Sequence, residues 1–145
     1  MRWCLLLAAI ALTSVVTPTP ARARSETDCM SAWSRAVRSY LTQNRRAAPD
    51  GTVPQDLDAE ELAVQAWLRA FEPACQLEAE GRKAEARVEA AAIGVTILAR
   101  LDPRGCETFL NAYMQSSRPS DICTAARADA SIDIRDQIAR TIPAR

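Results

Sequence analysis

The sequence predicts an all-α fold: a small disulfide-braced bundle of about five helices behind a cleaved signal peptide. Three observations lead there. Apolar residues recur every three or four positions along most of the chain, valine-rich alternating runs are scarce, and an exported leader leaves four cysteines in the mature protein.

The leader is read from the first 23 of 145 residues. Met1 and Arg2 form a short positive start, Trp3 to Val16 is apolar and uncharged, and Pro18 and Pro20 interrupt the run ahead of Ala21-Arg22-Ala23. That order matches a secretory signal peptide with cleavage after Ala23, which makes residues 1–23 the signal peptide and 24–145 a single helical domain. A membrane anchor needs about 18 or more consecutive apolar residues, and this run is shorter and turns polar at its end. Cys4 precedes the apolar run, and no lipobox surrounds Cys29, so lipid attachment is not expected either. The expected location is the periplasm or the medium, without a stable membrane anchor.

Cleavage removes two arginines and no acid, leaving 16 basic against 18 acidic residues, a net of −2. Polyanion binding depends on a clustered basic face that releases counterions. Arg35, Arg38, Arg45 and Arg46 are scattered, so no nucleic-acid partner is expected. Between Asp56 and Glu89, nine acids face four basic residues, which favours a solvated helix surface.

The first helix carries Cys29, Trp33, Val37, Tyr40 and Leu41 on one stripe, with Asp28 expected as its N-cap and its end near Arg45. Ala-Pro-Asp-Gly and Val-Pro within residues 47–56 mark a turn-rich connection. Asp58 followed by Glu61 suggests a cap for a second helix whose stripe is Val64, Trp67, Leu68 and Phe71. Pro73 and Gly81 each offer a chain reversal, one by lacking an amide hydrogen and the other by accepting a left-handed backbone. Val88 to Leu101 is apolar on nearly every side, the pattern of a central buried helix, and Asp102-Pro103 should stop it. A shorter helix carries Cys106, Phe109, Leu110 and Tyr113. A fifth is expected to run from Cys123 through Ala126, Ala130, Ile134 and Ile138 to Ile142.

Four cysteines allow three pairings. A straight helix from 106 to 116 would separate Cys106 from Cys123 by ~15 Å, well beyond the ~7 Å Cα limit of a disulfide. The central helix lies in the same way between Cys75 and Cys106. The expected pairs are therefore Cys29–Cys106 and Cys75–Cys123.

The motif search excludes several chemistries. There is no histidine, so imidazole-dependent triads and histidine-based zinc sites are impossible. The one lysine, Lys83, stands outside any Ser-x-x-Lys arrangement, and Thr52, Pro54 and Gln55 spoil a calcium loop after Asp50. No catalytic residue, metal or cofactor is expected. The expected function is protein binding of an inhibitor, immunity or scaffold type, by surface complementarity to another exported protein, with a homodimer as a further possibility. Two alternatives stand beside it. A small cell-wall-acting enzyme would use paired carboxylates such as Glu78 with Glu80, or Glu107. Cys106-Glu107-Thr108-Phe109-Leu110 also resembles a Cys-Glu-x-Phe-Leu segment of the periplasmic acid-stress chaperones, which implies such a role. The likeness spans those five residues and sits late in the chain, whereas in that family the segment lies near the mature N-terminus.

Overall fold

The structure, a computed structural model, describes residues 19–143, so the expected leader up to residue 18 lies outside the described residues. Six α-helices and one π-helical turn make up the regular structure among the described residues, without a strand.

Helix α1 spans Pro20–Thr42 and starts earlier than Asp28. The Thr19 hydroxyl accepts the Arg22 amide at 3.3 Å, and Pro20 supplies a φ already suited to a first turn. Asp28 is an exposed residue inside the helix, and the expected boundary after Ala23 falls within its first turns. Three residues ahead of the expected end, α1 stops because Asn44 and Arg45 take left-handed backbone, φ 61° and 51°. Asparagine tolerates that region better than most side chains.

The connection to α2 folds around Gly51, whose φ of 90° closes a turn in which Ala48 donates to the Thr52 carbonyl at 2.8 Å. Trp67 Nε1 donates to the Ala47 carbonyl at 3.1 Å and ties this loop to the next helix. Helix α2, Leu57–Ala79, is capped by Asp56, whose carboxylate accepts the Ala59 amide at 2.8 Å. Asp58, the expected cap, lies in the first turn instead, where a carboxylate still favours the helix dipole. Pro73 is inside α2 and does not end it. Phe71, Ala74 and Cys75 are buried around it, so packing holds the turn whose hydrogen bond proline omits. The reversal belongs to Gly81 at φ 80°: its amide donates to the Glu78 carbonyl at 3.0 Å and the Arg82 amide to the Leu77 carbonyl at 3.0 Å. These two bonds are the Schellman pattern of a glycine-closed helix.

Helix α3, Lys83–Leu101, buries Ala86, Ala90, Ala91, Ala92, Gly94, Val95, Leu98 and Ala99. Asp102 then ends α3 and begins α4, Pro103–Thr108, by accepting the Gly105 amide at 3.0 Å. Helix α4 continues into the π-helical turn Phe109–Tyr113, and Gln115, at φ 54°, sends the chain away toward α5, Pro119–Ala128. The single fifth helix expected from Cys123 to Ile142 is broken in two. Asp129 accepts the Ser131 amide at 2.9 Å and Asp133 the Arg135 amide at 3.0 Å, so aspartate side chains supply turn bonds that compete with the helix ladder. Helix α6, Arg135–Thr141, follows, and Ile134 and Ile138 still reach the core.

Helices α1 and α2 are antiparallel, in a register recorded by Arg38–Glu61 at 2.9 Å, the Cys29–Cys75 bridge and Arg22–Glu80 at 3.0 Å. Helix α3 packs on α2 on one side and on α4, α5 and α6 on the other. The core is Val64, Trp67 and Phe71 of α2 against Val95 and Leu98 of α3, closed by Leu110, Ile122 and Ile138.

The disulfides are Cys29–Cys75 and Cys106–Cys123, with Cα separations of 5.6 and 6.1 Å, which corrects the expected 29–106 and 75–123 pairing. The α1–α2 hairpin sets Cys29 opposite Cys75. Cys106 reaches Cys123 because the π turn and the left-handed Gln115 fold α5 back beside α4, where a straight helix would have kept them apart.

Gly94 leaves no room for a side chain: a Cβ there would stand 2.3 Å from the Phe109 ring. Gly94→Ala is expected to lower stability by about 1–3 kcal/mol in urea unfolding, the range for an overpacked core. Adding Phe109→Leu should recover part of that loss, since the two sites share one contact; strictly additive losses would contradict the packing described. Non-reducing peptide mapping should recover the 29–75 and 106–123 bridges. Removing the second, which spans 17 residues, should cost about 3 kcal/mol on the chain-entropy scale.

Candidate functional site

A groove runs between α1 and the arm formed by α4 and its π turn. Its wide end occupies about 520 Å³ and is lined by Cys29, Ala32, Trp33, Lys83, Tyr113 and Met114, among others. A narrower seam of about 160 Å³ continues past Val37, Tyr40, Gly105 and Phe109. Both parts share Trp33, Ala36 and Tyr113, so they form one groove. From Cys29 to Gln43 it follows α1 for about 20 Å at 1.5 Å per residue.

The spacing of α1 explains this wall. Ala32 and Ala36 repeat at four residues with Trp33 and Tyr40 beside them, and the alanines are too small to fill the gap to the facing arm. Trp33 lies flat on Phe71, centroids 3.9 Å apart and planes 3° from parallel, while Phe109 meets it at 6.1 Å. Tyr113 stands 6.0 Å from Phe109. These rings form a chain from the buried floor to the surface. Trp67 and Phe71 are core residues, Trp33 and Tyr40 are half-buried, and Tyr113 is 49% exposed. The apolar stripe therefore continues out of the core at Tyr113, where sequence spacing alone indicates burial. The π turn carries both Phe109, packed on Gly94, and Tyr113, open to the groove.

The two ends differ electrostatically. At the narrow end, Tyr40 donates its hydroxyl to Asp102 Oδ2 at 3.2 Å, and Arg46 approaches the same oxygen at 3.0 Å. Asp102 Oδ1 holds the Gly105 amide, so one carboxylate binds α1, the following loop and the α3–α4 corner together. A Cβ on Gly105 would fall 2.3 Å from that carboxylate, which reserves the position for glycine. Burial, and then the negative charge of Asp102, push the Tyr40 hydroxyl above its ordinary value, so it stays a neutral donor. At the wide end, Lys83 and Arg87 stand four residues apart on α3 with Glu78 across from them on α2. Arg87 Nη2 donates to the Met114 carbonyl at 3.1 Å.

The carboxylates singled out in the sequence do not converge. Glu78 lines the groove, Glu80 pairs with Arg22 and Arg82, and Glu107 is exposed on α4. Among the described residues no three His, Cys, Asp or Glu side chains gather as a metal set, and no helix is long and apolar enough to cross a membrane. All four cysteines among the described residues are in disulfides. Of the segment 106–110, Cys106, Phe109 and Leu110 are buried in the core. The groove offers apolar and aromatic surface, with Glu78, Lys83 and Arg87 at its wide end.

Comparison with known proteins returned no matching family model, curated protein or solved structure.

The Tyr40–Asp102 contact makes a pH prediction. Tyrosine ionises near pH 10 in an unfolded chain, and the folded value is higher. The folded state then keeps a proton the unfolded state has lost. The stabilisation is complete below about pH 10 and declines as pH rises above it. Melting temperatures measured from pH 8 upward should fall more steeply for the parent protein than for Tyr40→Phe. Parallel curves would refute the linkage.

Proposed function

We propose that this chain is an exported protein-binding domain, of the inhibitor, immunity or scaffold kind, which recognises another exported protein by complementarity in the α1–α4 groove and carries out no catalysis. The observation that carries the reading is the half-exposed Tyr113 beside Trp33 in an apolar groove on a cross-linked framework. Tyrosine and tryptophan dominate interface hot spots because they bury large area with few rotatable bonds. Each wall of the groove is tied by a disulfide to a neighbouring helix, α1 to α2 and α4 to α5, and a wall fixed in this way loses little conformational freedom on binding.

Export is supported by the leader-like residues 1–23 and by the disulfides, which persist in oxidising compartments such as the periplasm. Cleavage after Ala23 would remove Thr19, Pro20 and the Arg22–Glu80 pair from the start of α1. The lost cap would cost about 1 kcal/mol at that end. Cys29–Cys75 lies further along the helix and would keep the rest of α1 on α2.

A photo-crosslinking residue at Asn111, exposed on the outer side of the arm, and another at Ala32 in the groove should behave differently in producing cells. The groove position should capture a discrete exported protein, and N-terminal sequencing of the capturing chain should begin at Arg24. Tyr113→Ala should weaken the captured partner's affinity by about 30-fold, the ~2 kcal/mol of a hot spot. Ala36→Trp, which fills the groove, should abolish it. Capture from Asn111 alone, or unchanged affinity in both variants, would eliminate this function for the groove.

A further inference from the structure

We infer that Cys29–Cys75 is a thiol–disulfide exchange site: a dithiol reductant entering the groove attacks Cys29, and opening the bridge unlatches the first part of α1, residues 24–32, from α2 while Cys106–Cys123 stays closed. The exchange is independent of partner recognition in the groove.

The two bridges differ in how a reductant reaches them. Cys29 lines the wide end of the groove, whose volume of about 520 Å³ admits a small thiol, and it is 8% exposed. Cys75 and Cys106 are 0% exposed and Cys123 is 4% exposed. Exchange requires a thiolate at a sulfur it can approach, so access decides which bridge reacts and which of its sulfurs is attacked. The lining beside Cys29 is low: Ala32 and Ala36 of α1, Ala74 of α2, and Ala86 and Ala90 of α3 offer methyl groups that project little over a neighbouring sulfur.

The chemistry follows from that access. One thiolate of the reductant attacks Cys29 Sγ, the Sγ–Sγ bond breaks, and its electron pair leaves on Cys75, which takes up the proton given up by the attacking thiol. The second thiolate of the reductant then attacks the mixed disulfide on its own sulfur and expels Cys29, which is protonated in the same way. Two electrons pass to the cystine, the dithiol becomes a disulfide, and both cysteines end as thiols.

What the bridge holds is the part of α1 with least other support. Ahead of Trp33, Cys29 is the one buried residue of the helix, and α1 packs extensively along α2 alone. Among the described residues, the one ion pair or hydrogen bond from residues 20–32 to another helix is Arg22–Glu80, an exposed pair that leaves with a leader cleaved after Ala23. Met30 of α1 and Leu68 of α2 line a shallow hollow nearby and are half-buried. From Trp33 onward the helix is fixed separately, by the stack on Phe71, by Val37 and Leu41 in the core and by the Tyr40–Asp102 bond. A helical end this short frays once untied, since even isolated helices of ~12–15 residues are marginal in water. Opening the bridge therefore frees this end and takes away one wall of the wide end of the groove, while the core stays closed.

The purified mature chain, treated with limiting glutathione at neutral pH, quenched with iodoacetamide and mapped by mass spectrometry, tests the route. Glutathione should be found on Cys29 and the alkyl group on Cys75, with Cys106–Cys123 reacting about tenfold slower or more. Ala32→Trp, at an exposed position whose side chain leans back over the turn holding Cys29, should slow the reaction about threefold or more. Glutathione on Cys75, equal rates at the two bridges, or an unchanged rate in Ala32→Trp would overturn entry through the groove. Hydrogen exchange after reduction with dithiothreitol tests the latch. Amides of residues 24–32 should exchange about tenfold faster or more while α2 to α5 keep their protection, and the Cys29→Ser/Cys75→Ser double variant should show the same local change without reductant. Unchanged exchange at residues 24–32, or protection lost throughout the molecule in either the reduced chain or the double variant, would overturn the latch.

Discussion

Everything in this molecule is arranged around how little side chain α3 carries. Ala86, Ala90, Ala91, Ala92, Gly94 and Ala99 are buried on it, so its neighbours pack close to its backbone. Phe109 can lie over Gly94 only because nothing projects there. Close approach has a thermodynamic counterpart: a buried alanine removes one methyl from water, worth about 0.8 kcal/mol on the scale of a CH₂ group, where a leucine or phenylalanine contributes about 1.5–3 kcal/mol. A core with such a lean central helix needs support from elsewhere. The aromatic residues of α1 and α2 provide some of it, and the two disulfides restrict the unfolded chain on either side of α3.

The disulfides divide the work by position. Cys29–Cys75 joins α1 to α2, the one helix along which α1 packs extensively. Without it α1 would depend on the Trp33–Phe71 stack, on Val37 and Leu41, and on exposed ion pairs that contribute little in water. Cys106–Cys123 holds α4 beside α5 across the π turn and the left-handed Gln115, where backbone regularity is lowest. Each cross-link thus stands where packing alone is thin.

Much of this was legible in the sequence because helical periodicity is local. Trp67, Phe71, Val95, Leu98 and Leu110 fall on the apolar stripes that the spacing indicates, and the Asp102-Pro103 stop lies where α3 ends. What the spacing missed depends on competition between nearby residues or on three-dimensional direction. Asp56 and Asp58 are both able to cap α2, and the choice depends on which carboxylate finds a free amide. Pro73 and Gly81 both interrupt a ladder, but a proline with buried neighbours on both sides survives in a helix, while Gly81 alone adopts φ 80°. The break at residues 129–134 came from aspartates bonding to their own backbone, which the isoleucine spacing masks. The cystine pairing required knowing that α1 and α2 are antiparallel neighbours and that the chain bends after Tyr113. Neither fact has a one-dimensional signature, and neither does the groove.

The groove itself follows from the length of one arm. Helix α4 and its π turn run back along α3 from Asp102, with Phe109 over Gly94 and the Met114 carbonyl on Arg87. At Gln115 the left-handed backbone turns the chain away. The arm therefore covers α3 only as far as Arg87, while α1 continues beside α2 through Cys29 to the Arg22–Glu80 pair. The arm's early departure leaves aromatic surface open between the arm and α1, which is fixed on α2 by Cys29–Cys75 and tied to the α3–α4 corner by the Asp102 network. A cleft with its walls fixed in this way cannot readily close on itself to bury those rings.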